Sequence, residues 1–367
     1  MNEILTKEIA YEAIQKFFEE KPFVLFGTGT SCAVDFRFGM TALKEYLLNE
    51  IPKVKLNPEQ MKQWGVVEKA LNHNPDLETA MNSIQDEALL NHIVEKTSCI
   101  LVRLDQEYGY KILTSKISWP AKSLFEILVK SLPETDRILS VATPNYDLLA
   151  EYAFENAEIP YITGFTGGIC RSLDWSQAIK SVTYREKNPV GKKIRKEVKF
   201  KKHIRLYKVH GSLNTFKLND TTIVENNAWI ASVPDGVTRL MVTPGISKYK
   251  KLHQSRSTLL SQFDSAIENH SSFLFIGFGF NDLQLNNDSL KKKLKDQNCP
   301  GLIITREINT GITQLLNECD NLWVVCKHGD SKNESTRIYN KQYSDWLYLE
   351  DKQIWKIDYF TKEILGS

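Results

Sequence analysis

Phe23 to Ser31 read FVLFGTGTS, four bulky residues that stop abruptly in Gly27-Thr28-Gly29-Thr30-Ser31 and are followed by Cys32, Ala33 and Val34. A short run that is apolar at every position predicts a strand buried on both faces. Two glycines one residue apart predict a tight turn at its end, where the backbone can approach an anionic group closely. The N–H groups at the start of the following helix would face the same charge, which is the chemistry of a dinucleotide pyrophosphate site. The spacing departs from G-x-G-x-x-G, because Ala33, Val34 and Asp35 follow with no third glycine. By itself the turn reads equally as a plain strand-to-helix connection.

Working outward, the residues before the strand, MNEILTKEIAYEAIQKFFEE, are amphipathic and carry acids throughout, unlike a signal peptide, and predict a first helix. After the turn, Leu43, Leu47 and Leu48 fall at helical spacing between Gly39 and Asn49, ahead of Pro52. From there to about Pro133 the periodicity is helical in pieces, among them Asn74-Pro75-Asp76 leading into Leu77, Ala80, Met81 and Ile84. Two readings stand for this region: an inserted layer over a nucleotide or in an oligomer contact, or helices that cover one face of a sheet.

Strands resume at Arg137 to Thr143 (RILSVAT), running straight into Pro144-Asn145-Tyr146-Asp147. Polar groups at the carboxyl end of a strand mark where open α/β sheets bind ligands. Leu148 to Ala157 predicts a helix and Tyr161 to Phe165 a short strand. Between Lys192 and Lys208 stand nine basic residues (Lys192, Lys193, Arg195, Lys196, Lys199, Lys201, Lys202, Arg205 and Lys208) against the single acid Glu197. Alternation there suggests a hairpin or edge ribbon, either a solvated edge guarded by charge or a nucleic-acid surface. Leu206 to Val209 leads into His210-Gly211-Ser212, Arg239 to Thr243 stops at Pro244-Gly245, and Ser257 to His270 predicts a helix. Ser272 to Ile276 (SFLFI) ends in Gly277-Phe278-Gly279-Phe280-Asn281-Asp282, and Gly301 to Thr305 and Leu322 to Cys326 add two strands with a helix between them. Repeated strand, polar turn and helix predict an α/β chain with a doubly wound, Rossmann-like parallel sheet and a helical insertion.

The 367 residues are 42% hydrophobic and 25% charged, with a net charge of +2, which gives no global drive toward nucleic acid. No apolar run is long enough to span a bilayer. Six scattered cysteines, Cys32, Cys99, Cys170, Cys299, Cys319 and Cys326, form no CxxC pair, which argues against a zinc ribbon and a disulfide framework and suits a reducing cytoplasm.

Four strand ends thus carry polar motifs in chain order: GTGTS with Asp35-Phe36-Arg37 behind it, TPNYD at 143–147, HGS at 210–212 and GFGFND at 277–282. As a set they resemble the sirtuin superfamily, in which a GAGxS turn with a downstream DFR, a TQNID strand end, a catalytic HG and a late glycine loop surround one NAD. The resemblance covers roughly residues 20–50 and 136–327. It implies that Gly27, Thr28, Gly29 and Ser31 bind the pyrophosphate and that Asp35 and Arg37 lie on a flexible segment over the nicotinamide. It places Thr143, Asn145 and Asp147 on the strand end that holds nicotinamide, ribose and a water. His210 falls on the general base, and Gly277 with Gly279 on the adenosine-ribose loop. Pro144 replaces the usual glutamine, and the four-cysteine zinc module is absent. In both respects the chain looks more like the sirtuin-like, NAD-hydrolysing effectors of bacterial antiphage defence, which carry TxNYD and a late GxGxxD, than like deacylases.

Each residue also has a structural reading. His210 could be a satisfied histidine under a loop, Asn145 a helix cap, Asp147 a partner of the helix dipole, and Asp282 an N-terminal helix acid. Arg37 has no obvious acidic neighbour in sequence, which favours a mobile ligand contact. The expected divisions are a catalytic domain of residues 1–50 plus 136–327, a helical insertion at 51–135, a basic insertion at 166–208 and a C-terminal tail at 328–367 packing on the domain. The expected activity is NAD glycohydrolysis without metal, with Asn145, Asp147 and His210 as catalytic residues. The alternatives are an NAD-dependent protein deacylase and a non-catalytic sensor of NAD or ADP-ribose. Trp64, Leu71, Leu77, Met81, Leu89, Leu90 and Ile93 exceed what one covering layer needs, which suggests a homo-oligomer built through the insertion. Its activity would be released by a further partner such as a phage protein or a companion ATPase of the HerA type.

Overall fold

The computed structural model describes residues 3–73, 77–190, 193–219, 222–241, 249–282, 285, 288–330 and 333–366. Asn74-Pro75-Asp76, Lys192 and the Pro244-Gly245 strand end lie outside these residues. The FVLF run forms β1 (Phe23–Phe26), buried at all four positions. The other strands of its sheet are β2 (Ile138–Thr143), β3 (Tyr161–Ile162), β4 (His203–Lys208), β5 (Phe273–Ile276), β6 (Gly301–Thr305), β7 (Leu322–His328), β8 (Ser335–Asn340) and β9 (Leu347–Leu349). They lie in the order β9-β8-β7-β6-β5-β1-β2-β4-β3. Every pairing from β7 across to β3 is parallel, and β8 and β9 are added antiparallel. The chain winds from β1 outward through β2 to the β4 side, then returns to β5 on the opposite flank of β1. This reversal is the topological switch of a doubly wound α/β sheet, and it opens a crevice at the carboxyl ends of β1, β2 and β5.

The pleat divides the core by alternate residues. Val24, Phe26, Val141 and Leu274 face one helical layer, while Phe23, Leu25, Ala142 and Phe275 face the other. A second, antiparallel sheet orders Val237–Met241, Gly211–Leu218, Thr222–Glu225, Arg171–Leu173 and Phe165–Gly167. Two expectations change here. The segment from Tyr161 to Phe165 is two strands in different sheets, broken by Gly164 at φ +88°. Of the strand expected at 239–243, the described part lies in Val237–Met241, which pairs antiparallel with Gly211–Leu218 and belongs to the second sheet.

Between residues 51 and 131 the described elements are all helices: Ile51–Lys53, Pro58–His73, Leu77–Met81, Glu87–Leu113 and Lys122–Ser131. Asp86 caps the long helix by accepting from the Leu89 N–H at 2.7 Å. Trp64, Leu71, Leu77, Met81, Leu89, Leu90 and Ile93 are all buried, and with Leu43, Leu47 and Ile51 they close a separate core within the chain. They offer no surface to a second copy, which removes the apolar excess from which self-association is expected. The basic stretch divides as well. Thr183–Val190 and Lys193–Phe200 form a two-stranded hairpin, whereas Lys208 ends β4 and is buried. Beyond residue 327 the chain adds β8, β9 and the helix Ile357–Leu365, whose Phe360 is fully buried. Among the described residues no helix is long and apolar enough to cross a membrane.

Candidate active site

At the end of β1 the glycines are required by backbone packing. A Cβ on Gly29 would stand 2.6 Å from Gly277 Cα, and one on Gly27 would stand 2.7 Å from Gly277 O. Gly277 itself has φ +56°, a conformation open to glycine at no steric cost. The amides of the four-residue helix Gly29–Cys32 are turned to internal partners. Gly29 N–H donates to Gly277 O at 3.0 Å, Thr30 N–H to Gly27 O and Ser31 N–H to Thr28 O, both at 3.1 Å. The expectation that these amides face an anion is therefore not met; they tie the β1 and β5 loops together.

Ser31 is the junction between β1 and β2. Its Oγ accepts from Asn145 Nδ2 at 3.0 Å and donates to Asp147 Oδ2 at 2.8 Å. Asn145 Nδ2 also donates to Gly27 O at 3.1 Å, and Thr143 Oγ1 accepts from the Asn145 N–H at 3.1 Å. Asn145 does not cap the following helix, Leu149–Asn156, whose N-cap is Leu148 with no side-chain bond. Its Oδ1 is buried with no partner, a cost of about 1–3 kcal/mol that native structures keep for a reason. Asp147 is buried, and desolvation pushes its carboxyl above the usual carboxylate range against the charge of Lys208 and the Ser31 hydroxyl. It also accepts a longer bond, 3.3 Å, from the Leu149 N–H at the helix start.

Behind this strand end lies a buried ionic layer. Lys208 Nζ donates to the Asp147 carbonyl and to Glu151 Oε1 at 2.7 Å. Asp105, from the long helix, accepts from Leu148 N–H at 2.7 Å and from Tyr152 OH at 2.9 Å, and burial raises its pKa to about 7. Sequence reasoning counts Lys208 among the surface charges and passes over Asp105. A lysine immediately before Val209-His210-Gly211 is the one local sign that its charge faces inward.

At the end of β4, His210-Gly211 makes a sharp corner. Gly211 has φ +79°, and a Cβ there would meet Leu240 O at 2.1 Å. Ser212 Oγ and Leu213 N–H both donate to Tyr146 O, at 3.1 and 2.9 Å, and so fix the β4 end against the Asn145 loop. His210 Nε2 lies 3.0 Å from Asp282 Oδ2, with both side chains buried. Asp282 is thus more than a helix acid, although its Oδ1 does accept from Leu285 N–H at 3.2 Å.

Asp35 and Arg37 depart furthest from expectation. Asp35 accepts from the Arg37 backbone N–H at 2.8 Å and from its guanidinium at 2.8–3.1 Å. Tyr108 OH also donates to Asp35, and Glu107 approaches Arg37 at 3.2 Å. The guanidinium holds the Asp35 carboxyl down to about 2. Arg37 therefore has an acidic neighbour two residues away, brought into reach by the 3-10 turn Phe36–Phe38, and is a paired residue.

An open pocket of about 800 Å³, mouth included, is lined by Gly27, Thr28, Pro144, Tyr146, His210 and residues 277–282, with Met40 and Leu43 at its side. Of the expected site residues, Gly27, Thr28, His210, Gly277 and Gly279 line it. Ser31, Thr143, Asn145 and Asp147 form the bonded layer adjoining these residues, and Asp35 and Arg37 stand apart. Across the Gly29–Gly277 contact a second pocket of about 1150 Å³ opens between Thr30, Thr305, Arg306 and Trp355. Among the described residues no three His, Cys, Asp or Glu side chains group closely enough to hold a metal ion.

The sequence model of the SIR2-like domain family matches residues 139–309, which include β2, the Asn145 loop, His210 and the Gly277–Asp282 loop. No curated protein matches the chain. Two solved structures superpose weakly. One is described as a structural basis for the mechanism and regulation of Sir2 enzymes, at 13% identity and TM-score 0.38, covering 86% of this chain and 96% of that one. The other is a mutant Sir2 homologue in complex with 2'-O-acetyl ADP ribose, at 13% identity and TM-score 0.35, covering 87% and 90%. The match thus places a SIR2-like domain at residues 139–309, and those residues supply strands on both sides of the switch point of the parallel sheet.

Proposed function

We propose that the protein is an NAD glycohydrolase, replacing nicotinamide at the anomeric carbon with water to give ADP-ribose and nicotinamide. The observation that carries this reading is the placing of His210 in the wall of a pocket whose neighbouring layer is the bonded set Asn145, Ser31 and Asp147, across three neighbouring strand ends. Departure of a cationic leaving group forms an oxocarbenium-like centre, so the site needs positioned dipoles and a base more than a strong nucleophile. His210 takes the proton from a ribose hydroxyl or from water. Asn145, with its unpartnered Oδ1, orients the ribose and the water. Asp147 holds Ser31 and, when ionised, sets negative charge beneath the reacting centre.

The setting we attach to this activity is abortive infection in antiphage defence, in which loss of NAD halts the infected cell. Its support is the motif set TPNYD and GFGFND without clustered cysteines. The test is to incubate pure protein with NAD, alone and with candidate activators, and to follow nicotinamide and ADP-ribose. Release of both at equal rates supports the reading. Turnover of an acetylated peptide in their place, or tight NAD binding with no release under any condition, overturns it.

A further inference from the structure

The loop after β5 delivers one carboxylate to one imidazole. Phe280 has φ +58°, a rare conformation for a bulky residue, and is kept there by ring contacts with Phe275 and Phe278 at 4.7 and 4.9 Å. Asn309 Nδ2 donates to Gly279 O at 2.7 Å and to Asn281 Oδ1 at 3.0 Å, pinning the same loop from the β6 side. The result is Asp282 Oδ2 at 3.0 Å from His210 Nε2, with the two side chains only 6% and 8% exposed. That nitrogen is shut off from solvent and makes no hydrogen bond in the present geometry, so the carboxylate is the charge that faces it.

We propose that Asp282 is a positioning residue for His210: its carboxylate, 3.0 Å from Nε2, favours the tautomer that carries its proton on that nitrogen and leaves Nδ1 as the proton acceptor of the reaction. This rests on the reading of His210 as the base. A neutral imidazole carries a single N–H, and a carboxylate beside one ring nitrogen places the proton there. When Nδ1 takes a proton the ring becomes a cation, and the carboxylate 3.0 Å away stabilises it. The proton thus moves from a ribose hydroxyl or water to Nδ1, while the Nε2–H bond is kept and Asp282 stays ionised throughout.

The test is Asp282→Asn in the full-length protein. The amide oxygen can still accept from Leu285 N–H, so the loop keeps its shape, but the charge that selects the tautomer is gone. Expected are an unchanged melting temperature, an NAD KM within about threefold of the parent, and a kcat lower by at least about 10²-fold. Asp282→Glu, which restores the charge at a shifted position, should recover part of kcat. Independently of turnover, the imidazole ¹⁵N shifts of His210 should report the Nε2–H tautomer in the parent and lose that preference in Asp282→Asn. An unchanged kcat in Asp282→Asn, a KM-only effect, or a parent His210 protonated at Nδ1 overturns the proposal. If the parent itself releases no nicotinamide, the glycohydrolase reading fails, and the ¹⁵N shifts alone then decide the role of Asp282.

Discussion

His210 and Asn145 differ in what they hold, so their substitutions should separate. His210→Ala should lower NAD turnover by about 10²–10⁴-fold without unfolding the protein. Asn145→Ala should abolish turnover and also destabilise by roughly 1–2 kcal/mol, because it removes the donor to Gly27 O and Ser31 Oγ. Wild-type turnover in either variant, followed as nicotinamide release, would remove the mechanism. Asp105 gives a pH prediction. Its folded pKa of about 7 lies above the ordinary aspartate value of 3.8, so between those values the folded state holds more protons than the unfolded one. Stability from this group is therefore present at low pH and lost as pH rises through that window. Asp105→Asn should melt higher than the parent at pH 8, with the gap closing below pH 4; a constant gap across pH would refute it. At this scale the sequence shows residues whose place is announced by a strand end, such as Ser31, Asn145, Asp147 and His210. It hides those whose partners are distant, as Lys208 with Glu151 or Asp282 with His210. Arg37 fails for a different reason, since its partner is two residues away but the 3-10 turn that joins them leaves no periodic trace.

Among the elements, β1, β2, β5, β6 and β7 are legible because each is a continuous apolar run bounded by glycine, proline or polar residues. The second sheet is not, because Gly211–Leu218 mixes polar and apolar residues directly after a motif and Gly164 splits what reads as one strand. The helical segment is legible as helix but not in its packing: periodicity shows that Leu89, Leu90 and Ile93 seek cover, not what covers them. Because Leu89 is 0% exposed inside the chain's own core, Leu89→Asp should destabilise by about 3–5 kcal/mol. The expected sign is a lower urea midpoint; an unchanged midpoint with a smaller particle by light scattering would instead restore the oligomer-contact reading. The basic hairpin should be dispensable to the chemistry. Arg137 binds its base through Tyr184 OH and Phe200 O at 2.6 and 2.9 Å, so replacing residues 186–197 by a short turn leaves the base in place. NAD turnover and melting should match the parent, and a loss of either would tie the ribbon to the site.

For the whole molecule, the parallel sheet and its switch point follow from the order of strands and helices, whereas the antiparallel extension by β8 and β9 has no counterpart in that alternation. With no close trio of metal-ligating side chains among the described residues, a strong chelator should leave the melting temperature unchanged. A downward shift of several degrees would reveal a bound ion. The sheet also ends abruptly on both flanks, in β3 of two residues and β9 of three. An exposed border needs several consecutive free amides and carbonyls to template another chain, and these borders are too brief to provide them. Continuing this large sheet from one copy into the next would therefore gain only a few backbone bonds at either border.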